Sequence, residues 1–218
     1  MVRHLALILI LSALSALHAT EDESLTSAHL AQLTPGKPLV INREIPGEPW
    51  PEMTIWQLVK CPPDVVAGVF WDSELDPAYL PGCLETKIIS RPAPSLQQAW
   101  FRLKMPLFLP DEVYVSEIRL IPQDPGSYKI TWKVLESIYA KSCTGEILIQ
   151  PYEGSMSLVR YKNFMVPRSK IAKLLKRPGM RRVEESFQAL VNQAEKVSRG
   201  TSNLTEKQRK ALQLATGK

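Results

Sequence analysis

The stretch "MRRVEESFQALVNQAEK", residues 180–196, reads as one long amphipathic helix. Met180, Val183, Phe187, Leu190, Val191 and Ala194 recur at helical spacing, while Arg181, Arg182, Glu185, Gln188 and Asn192 take the opposite side. A single apolar stripe has to be buried against a second layer. That layer precedes it as six alternating segments, 84–90, 98–105, 113–121, 128–135, 143–150 and 155–163. The breaks at residues 91–94, 106–110, 123–126 and 152–154 are short, which favours antiparallel neighbours.

The alternation assigns faces. Ala99, Phe101, Leu103 and Met105 share one side, with Arg102 and Lys104 on the other. Tyr114, Ser116, Ile118 and Leu120 oppose Glu117 and Arg119, and Tyr128, Ile130, Trp132 and Val134 oppose Lys129, Thr131 and Lys133. One side of the sheet is therefore apolar and rich in aromatics, and the long helix is its cover. Upstream, residues 53–60 carry apolar groups on both faces, as in a strand covered on both sides, and Leu39–Arg43 suits a short edge strand. Cys61-Pro62-Pro63-Asp64 starts a helix striped by Val65, Val66, Val69 and Phe70, because proline fits a first turn and Asp64 complements the positive helix end. A second short helix over 73–80 stops at Pro81-Gly82. A turn or two over 169–176 is cut from the long helix by Pro178-Gly179. The expected class is α+β. It is a helix-grip fold, a curved antiparallel sheet of about seven strands wrapped around the C-terminal helix, with two short helices between strands 1 and 2.

Outside this region the chain changes character. Residues 1–19 read as a cleaved secretory signal, with Arg3 ahead of an apolar run over 5–17 and Leu17-His18-Ala19 as the cleavage site. A retained anchor is the alternative, but thirteen helical residues reach only about 20 Å, short of the roughly 30 Å hydrocarbon core. No cysteine near the site offers a lipid attachment point, so a secreted or periplasmic location is expected. Residues 20–38 form a flexible leader, 39–197 the ligand-binding domain and 198–218 a polar, basic, mobile tail in which Thr205 can cap a short helix.

Cys61, Cys83 and Cys143 are too few for a disulfide scaffold and are expected as isolated buried thiols, one bridge plus a free thiol being the alternative. The formal net charge of +5 hides an asymmetry: 15 Lys/Arg against 4 Asp/Glu from Arg160 onward, and 12 against 18 before it. The basic third suits an anionic lipid surface or an acidic partner, or simply solubilises an exposed helix face.

Several chemistries lack their residues. Two of three histidines, His4 and His18, fall in the signal and His29 in the leader, so no imidazole base is available for Ser-His-Asp or Cys-His catalysis inside the domain. No Cys-x-x-Cys, paired histidines or carboxylates at ligand spacing mark a metal site, and no glycine-rich turn cradles phosphate.

Three segments resemble the START-like (SRPBCC) superfamily over about 145 residues, 52–196. They are "PPDVVAGVFWDSELDPAYLPGCLETKII" (62–89), "FRLKMPLFLPDEVYVSEIRL" (101–120) and "YKNFMVPRSKIAKLLKRPGMRRVEESFQALVNQAEK" (161–196). The resemblance implies a cavity for a hydrophobic guest such as a lipid, sterol, quinone or polyketide. Asp111-Glu112 stand where many relatives carry an Arg-Asp pair, so the role of that arginine does not transfer. A pocket of this kind is mostly apolar with a few orienting polar groups. The candidates are Tyr114, Ser116, Trp132 and Tyr161 among Phe101, Met105, Ile118, Phe187 and Leu190, residues that would equally serve a filled core.

The expected function is an exported, monomeric, non-enzymatic carrier or sensor without cofactor or nucleic-acid partner. A pocket enzyme of the polyketide-cyclase kind using Tyr114, Tyr161 or Glu117 is the rival, and an interaction module with a filled core is the third reading. Arg168, Lys170, Lys173, Lys176, Arg177, Arg181 and Arg182 place seven positive charges within fifteen residues. They are expected to dock the cavity entrance on an anionic membrane, with Ile171, Leu174 and Leu175 adding apolar contact.

Overall fold

The computed structural model describes residues 25–105, 109–123, 126–169, 175–200 and 205–217. The expected signal and Lys170, Ile171, Lys173 and Leu174 lie outside them. A short helix, α1 (Ser27–Gln32), stands in the leader. It is followed by β1 (Leu39–Arg43), β2 (Glu52–Val59), α2 (Pro63–Trp71), a 3₁₀ turn (Ser73–Ala78), β3 (Cys83–Ala93), β4 (Leu96–Leu103), β5 (Glu112–Pro122), β6 (Tyr128–Ser137), β7 (Ala140–Pro151), β8 (Ser157–Pro167), α3 (Lys176–Ser198) and α4 (Thr205–Thr216). The strands form one antiparallel sheet in the order β1-β2-β8-β7-β6-β5-β4-β3. It has eight strands rather than about seven, because Leu39–Arg43 pairs along its length with β2. The fold is the α+β helix grip that the sequence predicts.

Val66, Ala67 and Val69 of α2 and Phe187, Val191 and Ala194 of α3 close on the inner face of the sheet. There Ile55, Ile118, Leu120, Ile130, Ile147, Ile149 and Val159 lie buried, the alternation of each strand having put them on one side. On β2 the outward Thr54, Trp56 and Leu58 are buried as well, as expected for a strand covered on both faces. The outer face carries a ladder of charges: Glu146 accepts Lys129 at 2.7 Å and Arg160 at 2.6 Å, and Arg160 also lies over the Trp56 ring.

Three local expectations are corrected. β3 does not stop at Ser90 but continues to Ala93 and turns over Pro94-Ser95. It is an edge strand, where Pro92 deprives no neighbour of a ladder bond. The break at Pro178-Gly179 is absent, for α3 begins at Lys176 and runs through both residues, Gly179 N–H donating to the Leu175 carbonyl at 2.8 Å. Pro178 falls in the first turn, where N–H groups have no intrahelical acceptor and a missing donor costs little. Gly179 serves packing instead: a Cβ there would enter the indole of Trp50. Finally, the terminal residues form α4 and pack on α2. The backbone passes so close that the Gln208 carbonyl oxygen lies 3.2 Å from where a Gly68 Cβ would stand, and Leu212 and Ala215 are buried. Among the described residues no helix is long and apolar enough to cross a membrane.

Candidate functional site

The register of β4 on β5 sets Phe101 opposite Tyr114, and their rings stack at 4.6 Å with a 7° interplanar angle. Farther along the same face, Trp132 of β6 lies over Gly145 of β7, which has no Cβ to obstruct it. Trp132 meets Tyr161 of β8 at 5.1 Å, Tyr161 meets Phe187 of α3 at 5.4 Å, and Phe187 meets Phe70 of α2 at 6.3 Å. Asn163 anchors this set: its Oδ1 accepts the Trp132 indole N–H at 3.3 Å and the Cys143 S–H at 3.5 Å.

The expected pocket residues thus divide. Phe101, Ile118 and Phe187 are packed into the core. The Ser116 hydroxyl is taken by the Lys133 carbonyl at 3.4 Å. Tyr114, Trp132, Tyr161 and Leu190 are only partly buried, and Met105 lies just beyond β4, also partly buried. Tyr114 and Tyr161 pack against the buried core. Neither tyrosine hydroxyl has a hydrogen-bond partner among the described residues.

Burial raises the Tyr114 phenol well above its ordinary range, and the charge of Asp76 raises it further. Burial, then Cys143, does the same to Tyr161. The Cys143 thiol is pushed up to about 12 by burial, against the opposing contact from Trp132. All three are neutral at physiological pH, so they act as hydrogen-bonding groups in an apolar wall.

Sequence reading missed Asp76 and Tyr79. Asp76 sits buried in the 3₁₀ turn, and its Oδ1 accepts the Tyr79 hydroxyl at 2.9 Å. Burial pushes its carboxyl up to about 8; the Tyr79 hydrogen bond opposes this and Asp72 adds to it. "SELDPAYL" reads as a short helix, and no local pattern signals that β3 will pack on it and bury its carboxyl. Glu117, a candidate base, alternates to the outer face opposite Gln98 and Lys133. Glu112 holds the β6–β7 hairpin closed, accepting the Ser137 hydroxyl at 2.7 Å and the backbone N–H groups of Ile138 and Tyr139 at 3.1 Å.

The basic residues also divide. Arg182 donates to the carbonyls of Lys104 and Gly82, and its guanidinium occupies the place a Gly82 Cβ would need. Arg168 donates to Ser137 and Ala140 at 3.2 and 3.3 Å, and Lys176 pairs with Glu44. Arg181 pairs with Glu185 on the surface and Arg177 is exposed. Two shallow depressions lie away from the interior: about 360 Å³ beside Lys210, Gln213, Leu214 and Gly217, and about 320 Å³ between Glu74 and Ile88-Ile89-Ser90-Arg91. Among the described residues no three His, Cys, Asp or Glu side chains converge as a metal site.

No protein-family model matches the sequence, and no curated protein matches it. Solved structures do match in shape. A STAR-related lipid transfer protein from Xanthomonas axonopodis superposes with a TM-score of 0.65 at 14% identity, over 74% of this chain and 95% of that one. Human STARD10 gives 0.63 at 12% identity, over 75% and 71%. An aromatase/cyclase from a Streptomyces species gives 0.58 at 15% identity, over 66% and 93%. The chain has the START-like fold, and on that fold both transfer proteins and an aromatase/cyclase occur.

Proposed function

We propose that this chain binds and carries an apolar small molecule, of the lipid, sterol or quinone kind, between the inner face of the sheet and α3. The observation that carries this reading is the pair of phenols, Tyr114 and Tyr161, whose rings pack against the apolar core while their hydroxyls have no hydrogen-bond partner among the described residues. The lipid transfer proteins among the structures of similar shape support it. The secretory character of residues 1–19 supports export to a secreted or periplasmic location, and the basic residues at the start of α3 support peripheral contact with anionic lipid. Native mass spectrometry of purified protein, with organic extraction, is the test. An apolar guest retained in the gas phase is expected. Protein that emerges empty and takes up no added lipid overturns the reading.

A second reading has an observation of its own. Enclosed phenols with raised pKa values are also what a pocket enzyme uses to hydrogen-bond a carbonyl as charge develops on it. In that case Tyr114→Phe and Tyr161→Phe would abolish turnover of a polyketide-like substrate while leaving its binding intact. A carrier loses only affinity.

A further inference from the structure

The turn that joins β6 to β7 is made of residues that tight turns ordinarily avoid. The β6–β7 register, carried on from Lys133↔Thr144, leaves Ile138 and Tyr139 as a two-residue corner, where glycine, asparagine or aspartate is the usual choice. Ile138 keeps 48% of its surface exposed, and Leu135, just before it in β6, keeps 45%. Leu135 is the extra residue of a bulge: Val134 pairs with Ser116 and Glu136 with Val115, so Leu135 has no partner on β5. The tip is nevertheless held in place. Besides the bonds to Glu112, the Tyr139 hydroxyl donates to the Pro110 carbonyl at 3.0 Å. The Arg168 backbone N–H donates to the Tyr139 carbonyl at 2.8 Å, while its guanidinium holds the carbonyls of Ser137 and Ala140. We infer that this tip is a membrane insertion point: Ile138 and Leu135 enter the interfacial layer of an anionic lipid bilayer, with Lys133, Lys141 and Arg168 over its headgroups.

Charge and area choose that partner. Lys133, Lys141 and Arg168 are exposed around the tip, against Glu136 alone among the acids of residues 133–141. Lys133 and Lys141 form no ion pair among the described residues. Two half-exposed aliphatic side chains fall far short of the roughly 800 Å² per partner that a stable protein interface buries. They suffice at a lipid surface, where each apolar group withdrawn from water and each nearby cation adds to the binding. Because hydrogen bonds hold the tip before it binds, little conformational freedom is lost on insertion. The start of α3 lies at the same end of the sheet. Lys176 is tied to Glu44 just past β1, and Arg182 to Gly82 and Lys104, where β3 begins and β4 ends. The tip is therefore at the end of the sheet that also carries the exposed Arg177 and Arg181.

This inference rests on the peripheral lipid contact proposed above, and the test separates the two. Vesicles of phosphatidylcholine, with and without phosphatidylglycerol, are sedimented with the full chain. Leu135→Ser with Ile138→Ser should lower affinity for the anionic vesicles about tenfold or more, as two apolar groups stay in water. Leu214→Ser, at an exposed position of α4, should leave it unchanged. In the wild-type chain, the methyl resonances of Leu135 and Ile138 should broaden when the vesicles carry a nitroxide on the lipid acyl chain. Full retention of vesicle binding by the double serine variant overturns the insertion and leaves the basic contact standing. If that variant fails to fold, the wild-type resonances decide: methyl signals that stay sharp in the vesicle-bound chain overturn the insertion equally. No binding of the wild-type chain to anionic vesicles overturns both. Self-association without lipid that the double variant abolishes assigns the tip to a second copy of the chain and overturns the lipid partner.

Discussion

For single side chains, the consequence of enclosing Asp76 is a pH-dependent cost. Its folded pKa of about 8 lies above the ordinary 3.8, so between those values the folded chain holds a proton that the unfolded chain has released. Stability contributed by the protonated site is present below about pH 4 and is lost as pH rises toward 8. Asp76→Asn should therefore stabilise the protein at pH 8 by on the order of 2 kcal/mol and change little at pH 4, as denaturant titrations at the two pH values would record. The cysteines give a second expectation. Burial pushes Cys61 and Cys143 up to about 12 and raises Cys83, and none is in a disulfide. Iodoacetamide at pH 8 should label none of the three in the native state and all three after unfolding, because the thiolate is the reactive form.

Among the elements, the turn of the β6–β7 hairpin and the packing of α4 can each be tested at single residues. Three hydrogen bonds from the hairpin end on the Glu112 carboxylate of β5. Glu112→Ala removes the acceptor and leaves two backbone donors to find water. It should cost about 1–3 kcal/mol and speed amide exchange at Ile138 and Tyr139 well before the core strands exchange. For α4, Leu212 is 7% exposed and Leu214 is 75% exposed on the same helix. Leu212→Ala should destabilise the chain by about 2–4 kcal/mol, through lost burial and the cavity left against α2, whereas Leu214→Ala should stay within about 0.5 kcal/mol. Equal effects in thermal melts would mean that α4 does not pack on α2 in solution.

For the chain taken together, the charge asymmetry bears on membrane contact. Arg182 and Arg168 are committed to backbone carbonyls and Lys176 to Glu44, so the docking charge falls to exposed residues such as Arg177 and Arg181. Arg177→Glu with Arg181→Glu should cut co-sedimentation with anionic liposomes at least tenfold at low salt, since each basic residue near such a surface is worth about 1 kcal/mol. Neutral liposomes should bind neither protein. Retention of the wild-type level by the double variant removes the docking proposal without touching the interior site.

The helix-grip architecture is legible in the residues because period-2 alternation and a helical stripe are local records of which side is buried. Strands β4 to β8, the cover by residues 180–196 and the two-sided burial of β2 all follow from such records. What fails locally depends on partners distant in sequence. Pro178 stops a helix or starts one according to where the preceding turn begins, and Gly179 is explained only by Trp50, more than a hundred residues earlier. The docking of α4 depends on Gly68, and the hairpin cap on Glu112, an acid to which the sequence assigns no role. The aromatic wall is readable residue by residue because its members share strand faces. Asp76 is not, because a carboxyl in a polar turn is buried only when strands elsewhere in the chain close over it. Its desolvation is a property of tertiary packing alone.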